Sequence, residues 1–185
     1  MSFSSHDFFQ SYFEELGRRL HDAAIADLDA LCGVLRQAKT LRRKVVIAGN
    51  GASSAIASHI AVDLTKTAGV RAVTFHDVDL ITCFGNDYGY EHWMAKAIAF
   101  YGDPGDVVVL VSSSGRSPNV LNAAVQAKAQ GLSLVTLSGF DADNPLRALG
   151  AVNLWVDSHQ YNIVEATHQS WLLAAIDRLV QGDAS

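Results

Sequence analysis

The residues in this chain best suited to chemistry fall in two loops and on two helical stretches. Ser112-Ser113-Ser114-Gly115-Arg116-Ser117 puts four hydroxyls into six residues, around a glycine that lets the backbone fold closely. The loop follows the apolar run DVVVLV and precedes a helical pattern. Hydroxyl and backbone donors at a helix N-terminus can hold a phosphate monoester without a cationic patch. Serines also cap helices, but one would suffice for that. A second loop, Gly49-Asn50-Gly51-Ala52-Ser53-Ser54, follows the run KVVIA. Ser54 stands where a dinucleotide fingerprint wants its third glycine, and no Gly-Lys-Ser/Thr follows, so no nucleotide cofactor is expected. His59 and Asp63 lie four apart on the helix predicted after this loop, hence on one face, as metal ligands or as a base with its partner.

The elements that must position these residues alternate in type. Apolar residues at three- and four-residue intervals from Asp7 to about Ala38 predict two helices, or one broken near Asp22. KVVIAG, RAVTF, DVVVLVS, LSLVTLSG and AVNLWVDS read as strands, and helical stretches separate them: Ser54 to Thr67, Asp77 to Cys83, Tyr90 to Tyr101, the stretch after Ser117, and Asn162 to Val180. The near-continuous apolar runs Val107 to Val111 and Leu132 to Leu137 suit strands covered on both faces. The expected fold is α/β: a three-layer sandwich with a doubly wound parallel sheet of about five strands. In such sheets ligands bind beyond the carboxyl ends of the strands, where both loops fall.

Composition narrows the function classes. A chain of 185 residues with 49% hydrophobic residues suits one compact domain, 1–185. A net charge of -5 argues against a nucleic-acid partner. The basic cluster Arg42, Arg43 and Lys44 reads as a solvated helix-to-strand corner. No apolar run is long enough to span a bilayer and MSFSSHDFF lacks a signal-peptide layout, so no membrane association and a cytoplasmic location are expected. Cys32 and Cys83 read as buried thiols.

Taken together, GNGASS, SHIAVDL, FGNDYGYE and SSSGRSPNVL make the chain resemble the sugar isomerase (SIS) domain family, and within it the phosphoheptose isomerases. The resemblance implies interconversion of a ketose phosphate, sedoheptulose 7-phosphate or similar, with an aldose phosphate through an enediol. It implies that Ser53, Ser112, Ser113, Ser114 and Ser117 hold the phosphate and nearby hydroxyls, while Asn50, Gly51, Ala52, Asn86 and Asp87 line the sugar. It further implies a homotetramer with sites at subunit contacts, residues 5–38 forming interface helices, and zinc in some members. His59, Asp63 and Glu165 are then candidate metal ligands, and Asp63, Glu165 and His168 candidate catalytic groups. The family carries glutamate where Asp63 stands. On the closing helix its pattern is a glutamine, a histidine three residues on, and a second, catalytic histidine five further. Aligning the first histidine with His168 puts Glu165 at the glutamine and Leu173 at the second histidine. His159, in DSHQYN just before the closing helix, could also reach the site. Leu173 leaves open a different class: a phosphosugar-binding SIS protein without catalysis, acting as a regulator or assembly partner.

Overall fold

The structure is a computed structural model that describes residues 4–182; the ends of the expected 1–185 domain lie outside the described residues. Helices α1 (Ser5–Leu20) and α2 (Ile25–Thr40) lead into β1 (Val45–Gly49), α3 (Ala52–Lys66) and β2 (Ala72–Val73). There follow α4 (Val78–Tyr88), α5 (Trp93–Tyr101), β3 (Val107–Ser112), α6 (Pro118–Ala129), β4 (Ser133–Ser138), β5 (Val152–Trp155) and α7 (Tyr161–Gln181). The chain breaks between α1 and α2 at Asp22, and Ser4 caps α1 through its hydroxyl on the Asp7 N–H.

All strand pairs are parallel, in the order β2-β1-β3-β4-β5. Because successive strand side chains point to opposite faces, β1 divides its residues between two cores. Val45 and Ile47 pack with α2, α3 and α7 on one face. Val46 and Ala48 pack with α5 and α6 on the other. Helices therefore cover both sides, and β1 and β3 are buried along their whole length. Gly49 permits a close approach at the end of β1: a Cβ there would lie 2.6 Å from the Ser53 Cβ and 2.7 Å from the Val111 carbonyl oxygen.

Three sequence expectations change. RAVTF forms only a two-residue strand, since this edge segment pairs with β1 alone. The FGNDY segment belongs to α4, which extends to Tyr88 instead of ending at Cys83. Cys32 is buried, but Cys83 is exposed, because α4 buries none of its residues. Among the described residues no helix is long and apolar enough to cross a membrane.

Candidate active site

Strand order reverses between β1 and β3: the chain leaves β1 toward β2 on one side and returns to β3 on the other. At such a switch point the connecting loops diverge and leave a crevice. Both Ser/Gly loops end there. They enclose a cavity of about 300 Å³ lined by Asn50, Gly51, Ala52, Ser53, Ser112, Ser113, Ser114, Ser117, Tyr161 and Glu165.

The chemistry of this cavity is that of an anion cradle without cations. Helices α3, α6 and α7 present their first residues to it, through Ala52 and Ser53, Ser117, and Tyr161. Each helix start carries unpaired N–H groups and about half a positive charge. The Ser117 hydroxyl makes no capping bond to α6, so it is not spent on the helix. Ser113 Oγ is buried beside the Glu165 carboxyl and makes no other hydrogen bond among the described residues. Arg116 turns away, pairing with Asp141 at 3.3 Å and Asp143 at 3.2 Å.

The loops are held in shape from behind. Asn50 and Asn119 exchange two amide hydrogen bonds, of 2.9 and 2.8 Å, which tie the first loop to the start of α6. Buried Asn144 donates to the Ser138 hydroxyl and to the carbonyls of Gly139 and Asp141. Gly115, with φ of 62°, passes so close to Asn144 that a Cβ would lie 2.0 Å from its Oδ1.

A second cavity, of about 460 Å³, adjoins the first and shares Ala52 and Glu165 with it; it is lined further by Ala55, Ile56, His59, Asn162, Ala166 and Gln169. Asn162, Glu165, Ala166 and Gln169 recur at the i, i+3, i+4, i+7 spacing of one helix face. Glu165 therefore stands between the two cavities. Burial pushes its carboxyl above the usual range, and the Ser113 hydroxyl offsets this only in part.

His59 is held at both ring nitrogens. Nε2 lies 3.2 Å from an Asp63 carboxylate oxygen, and Nδ1 lies 3.1 Å from the Gln169 amide nitrogen. Since that amide donates, the partners assign the proton to Nε2, leaving Nδ1 as acceptor. Asp63 sits behind His59 and does not line either cavity.

The remaining expected residues go elsewhere. His168 is fully buried on the inward face of α7, beside Val164 and Trp171, with Nε2 donating to the Ser138 carbonyl at 3.0 Å. Burial lowers its pKa to about 4, so it is neutral near pH 7 and out of reach of either cavity. Asn86 and Asp87 are exposed on α4, bonded to each other at 3.0 Å, and line neither cavity of their own chain. His159 stacks on Phe140 and pairs with Asp141, outside the cavities. Leu173 packs against the core. A zinc site is not assembled either: among the described residues no three His, Cys, Asp or Glu side chains converge, and both His59 nitrogens have other partners. Sequence reading missed Gln169, Asn162, Tyr161 and Asn119. For the three on α7, their spacing from Glu165 was the available signal.

The comparisons agree with this architecture. Residues 8–139 match the SIS domain family model. A phosphoheptose isomerase of Fusobacterium nucleatum is 42% identical over 107 residues, 55% of each chain. One of Sulfurimonas denitrificans is 31% identical over 150 residues, 78% of this chain and 75% of that one. The solved phosphoheptose isomerase of Francisella tularensis superposes with a TM-score of 0.88 at 25% identity, over 97% of this chain and 100% of that one. The match to the Fusobacterium relative spans about half of that protein's length. With the family model covering most of its length and the sheet order, loops and cavity in place, the chain belongs to the SIS domain family.

Proposed function

We propose that the protein is a phosphosugar isomerase of phosphoheptose type, interconverting sedoheptulose 7-phosphate or a close relative with its aldose phosphate. The observation that carries this is the junction of the two cavities: a cation-free phosphate cradle opens, past one raised-pKa carboxyl, onto the His59 pair. Similarity to phosphoheptose isomerases in sequence and fold supports the substrate class.

In this reading the serine loop and three helix starts anchor the phosphate, and the sugar chain runs over Glu165 toward His59. Glu165 removes a proton from the carbon beside the carbonyl; those electrons form the C=C bond of the enediol. It then returns the proton to the former carbonyl carbon. His59 handles the oxygens. Its bare Nδ1 takes a hydroxyl proton and passes it to the neighbouring oxygen, while Asp63 stabilises the transient imidazolium. The Gln169 amide occupies the place where that hydroxyl would sit. No metal step is invoked, since the donor set falls short of one.

The assembly proposed is a homo-oligomer, a tetramer by family resemblance, working in the cytoplasm. Phe8, Phe9 and Phe13 are exposed along α1, and no residue of α4 is fully buried, so a second copy would cover both surfaces. It would also give Asn86 and Asp87 a route to a neighbouring site. The alternative, phosphosugar binding without turnover, is favoured by Leu173 and the burial of His168. Incubation with sedoheptulose 7-phosphate and a panel of pentose and hexose phosphates, with and without chelator, decides between them. Isomerisation that survives chelation is expected, and binding without turnover of any sugar would overturn the enzyme reading.

A further inference from the structure

We propose that the corner between α2, α3 and the starts of β1 and β2 is a second anion site, for a compact ligand bearing a diphosphate. It lies at the amino ends of the strands, across the sheet from the sugar-phosphate cavity. A cavity of about 270 Å³ there is lined by Lys39, Arg42, Arg43, Gly69 and Arg71. Four of the five are cations, no carboxylate lines it, and the chain as a whole carries a charge of -5.

The ordinary explanation, cations balancing helix C-termini, covers only part of this charge. The ends of α2 and α3 supply together about one unit of negative charge against four positive ones. Among the described residues these cations form no ion pair, although Arg43 and Arg71 lie near enough to Asp103 to help hold its carboxyl below the usual range. Asp103 and Asp106, whose side chains flank the start of β1, are both bound to Lys44, whose own side chain is only 13% exposed. Of the basic cluster in the sequence, Lys44 is thus the paired structural member, while Arg42 and Arg43 line the cavity.

Arg42 supplies the second, independent observation. It closes α2 with φ of 53°, in the left-handed region, and the Arg43 N–H bonds the Ala38 carbonyl at 2.9 Å. Glycine is the favoured residue at that position. The equivalent turn beyond α3 does use one, Gly69, with φ of 66°. An arginine held in the strained conformation spends backbone strain to put a guanidinium at the cavity, and the Arg71 guanidinium fixes it by donating to the Arg42 carbonyl at 3.0 Å. Three planar guanidinium forks with one ammonium match the oxygens of two linked phosphates better than those of one. No aromatic ring lines the cavity to stack on a base, so the recognised element is the diphosphate itself.

The test uses the full chain and inorganic pyrophosphate, titrated by calorimetry at constant ionic strength, with orthophosphate as reference. Pyrophosphate is expected to bind at least about tenfold more tightly than orthophosphate. Arg42→Gly with Arg43→Gln, which retains the turn and relieves its strain, should weaken pyrophosphate binding by about tenfold or more and leave sugar-phosphate binding unchanged. Ser112→Ala with Ser114→Ala should do the reverse. Pyrophosphate binding that survives the arginine changes, or is lost with the serine changes, overturns the proposal without touching the isomerase reading. No preference over orthophosphate overturns it as well.

Discussion

The two halves of the candidate site are built in different ways. The phosphate half comes from contiguous residues: Ser112, Ser113, Ser114 and Ser117 lie on one loop, braced by Asn144 and by the Asn50–Asn119 pair. The proton-transfer half comes from two helices whose contacting residues, His59 and Gln169, are 110 positions apart. Its side chains are also more open, with His59 48% and Asp63 31% exposed. Binding is thus anchored in a tightly determined loop. In the proposed reading catalysis rests on the register of α7 against α3, so single substitutions there should change the chemistry without disturbing the cradle.

The strongest way to break this division is Glu165→Gln. It should lower kcat by about 10² to 10⁴ while leaving phosphosugar protection of the fold intact. Its carboxyl is raised by burial, so ionisation opposes folding and the stability it contributes is lost as pH rises through its folded pKa. The glutamine variant should therefore melt a few degrees higher at pH 7 in a thermal scan. Its loss should remove the acid limb of the wild-type kcat/KM profile, which lies above the usual carboxyl range because the base must be ionised.

His168 sharpens the comparison by belonging to neither half. Burial depresses its folded pKa from the ordinary 6.5 to about 4, so the stability it contributes is present above pH 6.5 and lost as pH falls toward 4. The loss amounts to roughly 3 kcal/mol. Denaturant titration of His168→Gln across that window should show a flatter pH dependence. On the cradle side, Gly115→Ala forces a Cβ against Asn144 at a positive φ and should cost about 2 kcal/mol, measured the same way. The smallest effect is expected for Gln169→Ala. Freeing Nδ1 of His59 should change kcat by about tenfold at most, and shift the pH profile without altering substrate protection.

The same division explains what the sequence revealed. Alternating strand and helix patterns, and buried runs such as Val107 to Val111, were enough for the parallel sheet, because burial on both faces writes itself into every residue of a strand. The serine loop was legible since its donors are neighbours in the chain. The two-residue length of β2 escaped, being a matter of pairing at an edge, as did the extension of α4 to Tyr88 that carries Cys83 to the surface. Helix α7 was harder. Glu165 and His168, three apart, look like one face, but the inward tilt that buries Val164 and Trp171 takes His168 with it and leaves Glu165 with Gln169. The signal was present but outweighed: His168 lies four residues from both Val164 and Leu172 and three from Trp171, on the apolar face, whereas Glu165 does not. Asn86 and Asp87 lie outside both cavities of their own chain, on a helix with no fully buried residue, so their motif alone did not tell where they would stand.

The most direct test of the central claim is solvent deuterium incorporation, followed by NMR, with sedoheptulose 7-phosphate in D₂O. The wild-type chain should form the aldose phosphate and place deuterium on the carbon beside its new carbonyl, whereas Glu165→Gln should bind the sugar phosphate and incorporate essentially none. Exchange that persists in Glu165→Gln, or a wild-type chain that binds but neither isomerises nor exchanges, would contradict the account.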